Sequence, residues 1–302
     1  MAKRTRQWPP LGEALPVPVI DNHTHLPVHE GEIPKVDGVK LSLSEQLERA
    51  EQAGVRGLIS SGCELPALTP TVEIARAHPQ VRAALAIHPN EAALHAGNLE
   101  PSPDGYQHEQ QEHHVPLIVA LERVAALLGE PEVVAVGETG LDYFRTAEPG
   151  REAQKESFRA HLEMARARDL PVQIHDREAH RDTLELLGDP AWRQVTAVFH
   201  CFSGDAQMAR VLAERGWYAS FAGPITYPAN GELREAFGAM PRELVLVETD
   251  APYLAPAPYR GCPNASYVMA HTVRYLANLW EVSPAEAAKQ LNENTRRVYG
   301  DW

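Results

Sequence analysis

The feature that most constrains the fold of this chain is an eightfold alternation of short apolar runs with segments of helical periodicity. The runs cover residues 17–20, 57–61, 81–87, 132–136, 171–175, 195–200, 217–221 and 244–250. Each run is nearly continuous in apolar residues, which is typical of parallel strands that are covered on both faces. Helical patterns separate the runs, for example over 41–55, 117–128 and 153–168. Eight strand–helix units in about 250 residues predict an α/β protein with a (β/α)8 TIM barrel.

The segments outside this alternation complete the predicted organisation. Helical patterns around 267–280 and 283–299 predict C-terminal helices after the barrel. Residues 1–16 are predicted to be a flexible N-terminal arm, and the polar stretch 97–115 a loop insertion. Because the sequence shows no repeat, linker or shift in composition, we expect residues 1–302 to form a single domain.

Composition narrows the class of protein further. The chain is 44% hydrophobic and 23% charged, as in globular proteins, and it has neither a signal-peptide pattern nor a membrane-spanning run, so we expect it in the cytoplasm without a membrane partner. Cys63, Cys201 and Cys262 lie far apart in the sequence, and we expect them to be reduced. Each follows a predicted strand, a position compatible with a thiol that faces the site, but small apolar side chains without an assigned role are the favoured interpretation. The net charge of −13 argues against a broad basic surface for nucleic acid, but not against a small site neutralised by metal.

Side chains that bind metals stand at the carboxyl ends of five predicted strands. They are His23, His25, Glu138, His175, His200 and Asp250. The pair His23 and His25 shares one face of the first strand, a pattern that by itself fits histidines that only form hydrogen bonds. The carboxyl ends of barrel strands meet at the active site, where one catalytic zinc needs three protein ligands. Six such residues therefore predict two divalent cations, and their mixed nitrogen and oxygen ligands accept Mg, Mn or Zn.

The local sequences around these residues form five motifs. They are Asp21-x-His23-x-His25, Gly137-Glu138-Thr139-Gly140-Leu141-Asp142, Pro171-Val172-Gln173-Ile174-His175, His200-Cys201-Phe202-Ser203-Gly204 and Glu248-Thr249-Asp250-Ala251-Pro252-Tyr253-Leu254. Together they resemble the TatD family of metal-dependent deoxyribonucleases, in the amidohydrolase-like superfamily. The resemblance spans nearly the whole chain.

This resemblance implies roles for the candidate metal ligands of the motifs. One cation is bound by His23, His25 and Asp250, the other by His175 and His200, and Glu138 bridges the two. The catalytic residues are Asp250, which also takes the proton of the attacking water, and Glu138. Asp21 is expected to orient a ligand rather than to bind metal. The implied activity is that of a 3′–5′ exonuclease that prefers single-stranded DNA ends, with a role in DNA repair or degradation and no obligate protein partner.

The predicted substrate contacts are separate from the metal ligands. His88 matches a family histidine that contacts a substrate phosphate, although a capped loop histidine fits the same pattern. Arg145, Arg177 and Arg260 follow predicted strands and are candidates to bind phosphates. The family usually has His-Arg-Gly and Asn-Glu-Pro elements after the last strand, whereas this chain has Tyr259-Arg260-Gly261 and Asn264-Ala265-Ser266. Substrate contacts in that loop are therefore in doubt.

The predicted loop insertion contains a cluster of histidines, His108, His113 and His114. Such a tract is sometimes a metal site, but here it has neither periodicity nor a cysteine partner. We interpret it as a solvated loop.

Two other functions are compatible with the sequence. One is a hydrolase of small esters, lactones or amides, or of aminoacyl-tRNA esters, because a fold does not determine a substrate. The other is a scaffold that binds metal without turnover, which the presence of both Glu138 and Asp250 disfavours. Hydrolysis assays on single-stranded DNA and on lactones distinguish these alternatives.

Overall fold

The computed structural model describes residues 7–302, and its strands form one eight-stranded sheet in sequence order. The strands are β1 Val19–Thr24, β2 Val55–Gly62, β3 Val81–Leu85, β4 Val133–Asp142, β5 Val172–Arg177, β6 Ala197–Phe199, β7 Tyr218–Phe221 and β8 Val245–Val247. The segment after β8 also pairs with the end of β1, since Asp250 N donates to His23 O at 3.1 Å and His25 N to Ala251 O at 2.7 Å. This strand order confirms the predicted (β/α)8 fold class.

Helices connect and follow these strands. They are α1 Leu43–Gln52, α2 Leu65–Ala77, α3 Pro89–His95, α4 Leu117–Leu127, α5 Glu148–Arg168, α6 His180–Leu187, α7 Ala206–Arg215, α8 Gly231–Ala239, α9 Met269–Leu279 and α10 Pro284–Tyr299. Short 3-10 turns lie at Glu30–Glu32, Pro190–Trp192, Gly223–Thr226, Arg242–Leu244 and Ser266–Val268. Capping boxes begin α1 at Ser42 and α10 at Ser283, because a serine hydroxyl and a glutamate three residues later satisfy free N–H groups of the first turn.

The described chain divides into two compact units, each made of separate segments. The first unit contains the described residues up to Ser60, together with 79–81 and 204–302, and the second contains 61–78 and 82–203. In the first unit, Phe237 packs against Phe221 and Trp280 with ring centroids 5.1 and 5.2 Å apart. In the second, Phe158 and Phe199 are fully buried. The single-domain organisation stays a prediction.

Three segments differ from the sequence-based expectation or refine it. Residues 7–16 form neither helix nor strand, but part of them packs against the chain, because Trp8 and Leu15 are buried and Tyr267 Oη donates to Pro9 O at 2.6 Å. The flexibility of the arm 1–16 stays a prediction, and residues 1–6 lie outside the described part. Residues 97–115 contain no helix or strand, in line with a loop insertion, and they follow α3, a helix that was not predicted.

None of the helices within residues 7–302 combines the length and the apolar character needed to cross a membrane.

Candidate metal centres

The first candidate centre, the β1–β8 cluster, consists of His23, His25 and Asp250 in the first unit. Their ligand atoms lie within 4.8 Å of one another. Asp250 Oδ1 is 3.8 Å from His23 Nε2 and 3.5 Å from His25 Nε2, and the two Nε2 atoms are 3.3 Å apart. Two imidazole nitrogens and one carboxylate oxygen that face the same point form a suitable donor set for a divalent cation.

Asp21 positions the segment that carries Asp250. Its fully buried carboxylate accepts the Thr249 N–H at 2.9 Å and the Thr249 hydroxyl at 2.6 Å. Burial raises the pKa of Asp21 to about 7, although the hydrogen bonds from Thr249 oppose the shift. Asp21, predicted to orient a ligand, thus contacts the residue that directly precedes the candidate ligand Asp250.

The second candidate centre, the β4–β5 cluster, surrounds Glu138 in the second unit. Glu138 Oε2 lies 2.5 Å from His200 Nε2, 3.1 Å from His175 Nδ1 and 4.0 Å from His88 Nε2. The Glu138 backbone N–H donates to Ser61 Oγ at 3.0 Å, which attaches β4 to β2 within this unit. The structure therefore gathers predicted ligands from the ends of β4, β5 and β6 around one carboxylate.

Asp142 completes this cluster and was given no role on sequence grounds. Its Oδ2 accepts from His175 Nε2 at 3.0 Å, and its Oδ1 accepts the Arg145 N–H at 2.7 Å. A carboxylate behind one imidazole nitrogen fixes the tautomer and leaves the other nitrogen available to a metal. The structure supplies the reason for its position, because β4 continues to Asp142 and alternate residues of a strand share a face, here the face of Glu138.

The charges of the β4–β5 cluster are strongly coupled. Burial alone would lower the pKa of His175, but hydrogen bonds to Asp142 and Glu138 raise it to about 9. Burial alone would raise the pKa of Glu138, yet the imidazoles around it, His200 foremost, hold this pKa well below its ordinary value. A buried carboxylate that stays ionised among imidazoles is well suited to bind a cation.

His88 lies at the edge of this cluster and also caps α3. Its Nδ1 accepts the Asn90 N–H at 3.1 Å, so the neutral ring carries its proton on Nε2, 4.0 Å from Glu138 Oε2. Burial lowers the pKa of His88 to about 4, which keeps the ring neutral. The capping interpretation is correct for Nδ1, and Nε2–H remains a donor for the predicted phosphate contact.

Gly140 allows the close approach of β4 and β5 that brings Glu138 to His175. Its φ is +140°, and a Cβ atom built on it would lie 2.1 Å from the carbonyl oxygen of His175. Only glycine has both the required backbone freedom and the required space. The Gly140 of the Glu-Thr-Gly motif therefore has a structural cause.

The Cys63 thiol contacts a candidate metal ligand and is not only a small apolar side chain. All three cysteines are half-buried, and Cys63 Sγ lies 3.8 Å from Glu138 Oε1 as a thiol donor. A weak S–H donor at this distance adds one more contact to the central carboxylate.

The arginines predicted to bind phosphates already have partners in the structure. Arg145 forms an ion pair with Asp104 at 3.0 Å. In the second unit Arg177 stacks on the Phe144 ring at 3.9 Å, and in the first unit Arg260 stacks on the Tyr227 ring at 4.6 Å. Arg177 and Arg260 are exposed, so their guanidinium groups are still accessible to a substrate.

The loop after β8 is held by Asn264. The Asn264 Nδ2 atom donates to Thr249 O at 3.1 Å and to Tyr253 O at 2.6 Å, and the residue is buried. The altered loop thus holds a structural amide close to Asp250.

Comparison of the whole sequence with known protein families identifies the family of this chain. Residues 20–300 match the family described as "TatD related DNase". The chain belongs to the TatD family. It is accordingly a metal-dependent hydrolase that acts on ester bonds, and the resemblance stated from its motifs is confirmed.

Individual TatD relatives support this assignment over most of the chain. A Mycobacterium tuberculosis protein named "Uncharacterized metal-dependent hydrolase TatD" is 37% identical and covers 93% of this chain and 98% of its own. A Salmonella typhimurium protein named "3'-5' ssDNA/RNA exonuclease TatD" is 30% identical and covers 83% of this chain and 90% of its own.

Solved structures of TatD proteins show the same fold. The crystal structure of YJJV, a TatD homologue from Escherichia coli, superposes with a TM-score of 0.77 at 29% identity, over 94% of this chain and 98% of its own. A TatD-family hydrolase from Entamoeba histolytica, at 19% identity, has a TM-score of 0.73 over 95% of this chain and 99% of its own.

Proposed function

We propose that this TatD-family hydrolase is a divalent-metal-dependent nuclease that removes nucleotides from single-stranded DNA ends in the 3′ to 5′ direction. The observation that carries the proposal is the presence of two His–carboxylate clusters, one at the ends of β1 and β8 and one at the ends of β4 and β5. The Salmonella relative, which is named as a 3′–5′ exonuclease of single-stranded DNA and RNA, supports this substrate class.

Each cluster would hold one divalent cation. In the β1–β8 cluster the donors are His23, His25 and Asp250. In the β4–β5 cluster they are Glu138, His175 Nδ1 and His200, whose donor atoms approach one another within hydrogen-bonding distance. When bound, the cations supply positive charge to a phosphodiester and lower the pKa of water. The bridging role of Glu138, implied by the family resemblance, stays a prediction.

The protein side chains have distinct tasks in this proposal. Asp142 holds the Nε2 proton of His175 and so directs Nδ1 toward the cation. Asp250 accepts the proton of the attacking water at a carboxylate oxygen. His88 is neutral and donates its Nε2–H to a phosphate oxygen. Because a neutral donor adds no positive charge, the charge of the phosphate would be balanced by the metal ions.

The test is cleavage of end-labelled single strands after chelation and after addition of single metals. We expect no cleavage in excess chelator, and its recovery with Mg or Mn. The His29→Ala variant serves as a matched control, because His29 pairs with the carboxylate of Glu32 at 3.1 Å and is not part of either cluster. Full turnover in chelator with metal absence verified, or turnover of a lactone panel without any cleavage of DNA, would contradict the proposal.

A further inference from the structure

A second group of histidines lies outside the clusters described above, around Glu91 of α3. Glu91 Oε2 is 3.2 Å from His113 Nε2 and 3.0 Å from His114 Nε2, and the three ligand atoms lie within 4.8 Å of one another. The side chains are 13%, 24% and 1% exposed, respectively. The expectation of a solvated histidine tract is therefore wrong for His113 and His114, which the loop 97–115 folds back against α3.

A third imidazole, His95 of α3, lies beside this group. Its ring centroid is 5.1 Å from that of His114 and 6.3 Å from that of His113. The residue is 4% exposed, and its Nε2 has no hydrogen-bond partner in the described structure. A buried polar atom that lacks a partner costs about 1–3 kcal/mol, so its persistence calls for a ligand.

The hydrogen bonds at the other ring nitrogens decide which imidazoles can bind a metal. His95 Nδ1 lies 2.8 Å from the carbonyl oxygen of Val115, so Nδ1 carries the proton and Nε2 exposes a lone pair. A carbonyl behind the ring is the usual support of a metal-binding histidine. His114 has the opposite tautomer, because its Nδ1 accepts the Gln111 N–H at 2.7 Å and its Nε2–H must donate to Glu91.

We propose that Glu91, His95 and His113 bind one transition-metal cation of the zinc type, and that His114 orients Glu91 from behind. This His2Glu set is a known zinc donor set, which leaves a fourth position for water. Two imidazoles on one tetrahedral zinc have ring centroids roughly 5 Å apart, so His113 moves toward His95 by about 1 Å. His113 lies on the loop and is the most exposed of the group, and its movement needs no change in α3.

The bound cation would fix the loop insertion to α3. Glu91 and His95 belong to α3, whereas His113 belongs to the loop that follows it. Hydrogen bonds at Glu91 and from His95 to Val115 already join the loop to α3. Zinc binding therefore stabilises the folded chain by mass action, without any direct part in hydrolysis.

The experiment is a count of bound zinc or cobalt by elemental analysis, after equilibration with the metal and removal of the excess. We expect His113→Ala and Glu91→Gln each to bind one equivalent less than the wild type, and to lose part of the rise in melting temperature that zinc causes. Glu91→Gln keeps the size of the side chain and an acceptor for both imidazoles, so its effect is not one of misfolding. Cleavage of DNA with Mg should remain at the wild-type rate in both variants.

Two further variants sharpen the test. His29→Ala removes an exposed His–carboxylate pair and should leave the count unchanged. His114→Ala should keep the equivalent but bind it about 10- to 100-fold more weakly. An unchanged count in His113→Ala and Glu91→Gln, or the same loss in His29→Ala, would refute the site. Complete loss in His114→Ala would refute the assignment of His114 as an orienting residue.

Discussion

Glu138 is the residue on which most of the predicted metal chemistry depends. It lies at the centre of the β4–β5 cluster, within 2.5 Å of His200 and 3.1 Å of His175. If it also bridges two cations, as the family resemblance implies, Glu138→Ala should empty or weaken both sites, whereas His175→Ala should weaken only one. Elemental analysis of each purified variant gives the count. Two cations bound with wild-type affinity in Glu138→Ala would show that the bridging role is wrong.

Asp250 is predicted to accept the proton of the attacking water and also to bind metal. Asp250→Asn keeps a side-chain oxygen near His23 and His25 but removes the base, because an amide does not accept a proton at neutral pH. We expect most of the metal to remain and the cleavage rate to fall roughly 100- to 10,000-fold. Single-turnover cleavage measured alongside the metal count separates the two effects. A rate close to that of the wild type would remove Asp250 from the mechanism.

At the scale of elements, the pairing of β4 with β5 depends on Gly140. In Gly140→Ala a methyl group would meet the His175 carbonyl at 2.1 Å in a backbone conformation that disfavours alanine. We expect the free energy of unfolding to fall by about 3 kcal/mol or more, measured by urea denaturation. Gly216→Ala is the matched control, since Gly216 also has a positive φ of 70° but open space around it. Its cost should be only about 1 kcal/mol.

The packing of α5 against β4 gives a pH dependence through His161. This buried imidazole accepts the Ile87 N–H at Nε2 and approaches the Ser157 carbonyl with Nδ1, and burial lowers its pKa to about 4. At a pH between its ordinary pKa of 6.5 and this lowered value, the His161 imidazole is protonated in the unfolded chain but not in the folded one. The free energy of unfolding should therefore fall by roughly 3 kcal/mol as the pH drops from 6.5 to 4.

The variant His161→Gln tests this effect, because glutamine retains an acceptor but does not titrate. Urea denaturation across that pH range should show a shallower decline in the variant than in the wild type. Equal slopes would mean that His161 does not remain neutral in the folded protein.

The sequence predicted those parts of the fold that depend on local patterns. Apolar runs located the strands, and the polar residues that end them located the predicted ligands. The extension of β4 to Asp142 could not be seen in this way, because polar residues there are stabilised by partners distant in sequence, such as Gln154 and His175. Helix α3 was missed because His88-Pro89-Asn90 has the composition of a turn, although proline is equally suited to a first helical turn.

At the scale of the whole molecule, the charge limits how nucleic acid can be held. A net charge of −13 argues against an extensive basic surface, and Arg145 is already paired with Asp104. We therefore expect few phosphate contacts, and a slope of log affinity against log salt of roughly −1 to −3, since each contact on a single strand contributes about −0.7. The slope is measured from the affinity for labelled single strands across a series of salt concentrations.

A small number of phosphate contacts also determines whether single-stranded or duplex DNA is the preferred substrate. With few contacts available, unstacked single-stranded ends should be cleaved faster than the interior of a duplex. A slope near −10, or rapid cutting of closed circular duplex, would reveal a broad binding surface and contradict the prediction.

The division of the chain into two units has a consequence for the order of events during synthesis. The second unit is almost continuous in sequence, so the ribosome delivers all the residues of the β4–β5 cluster well before the chain ends. The first unit combines β1 with β8 and with α10, and its residues His23 and Asp250 are separated by most of the protein. If each cluster binds a cation as proposed, a nascent chain gathers the ligands of the β4–β5 cluster while translation continues, and those of the β1–β8 cluster only after Asp250 has emerged.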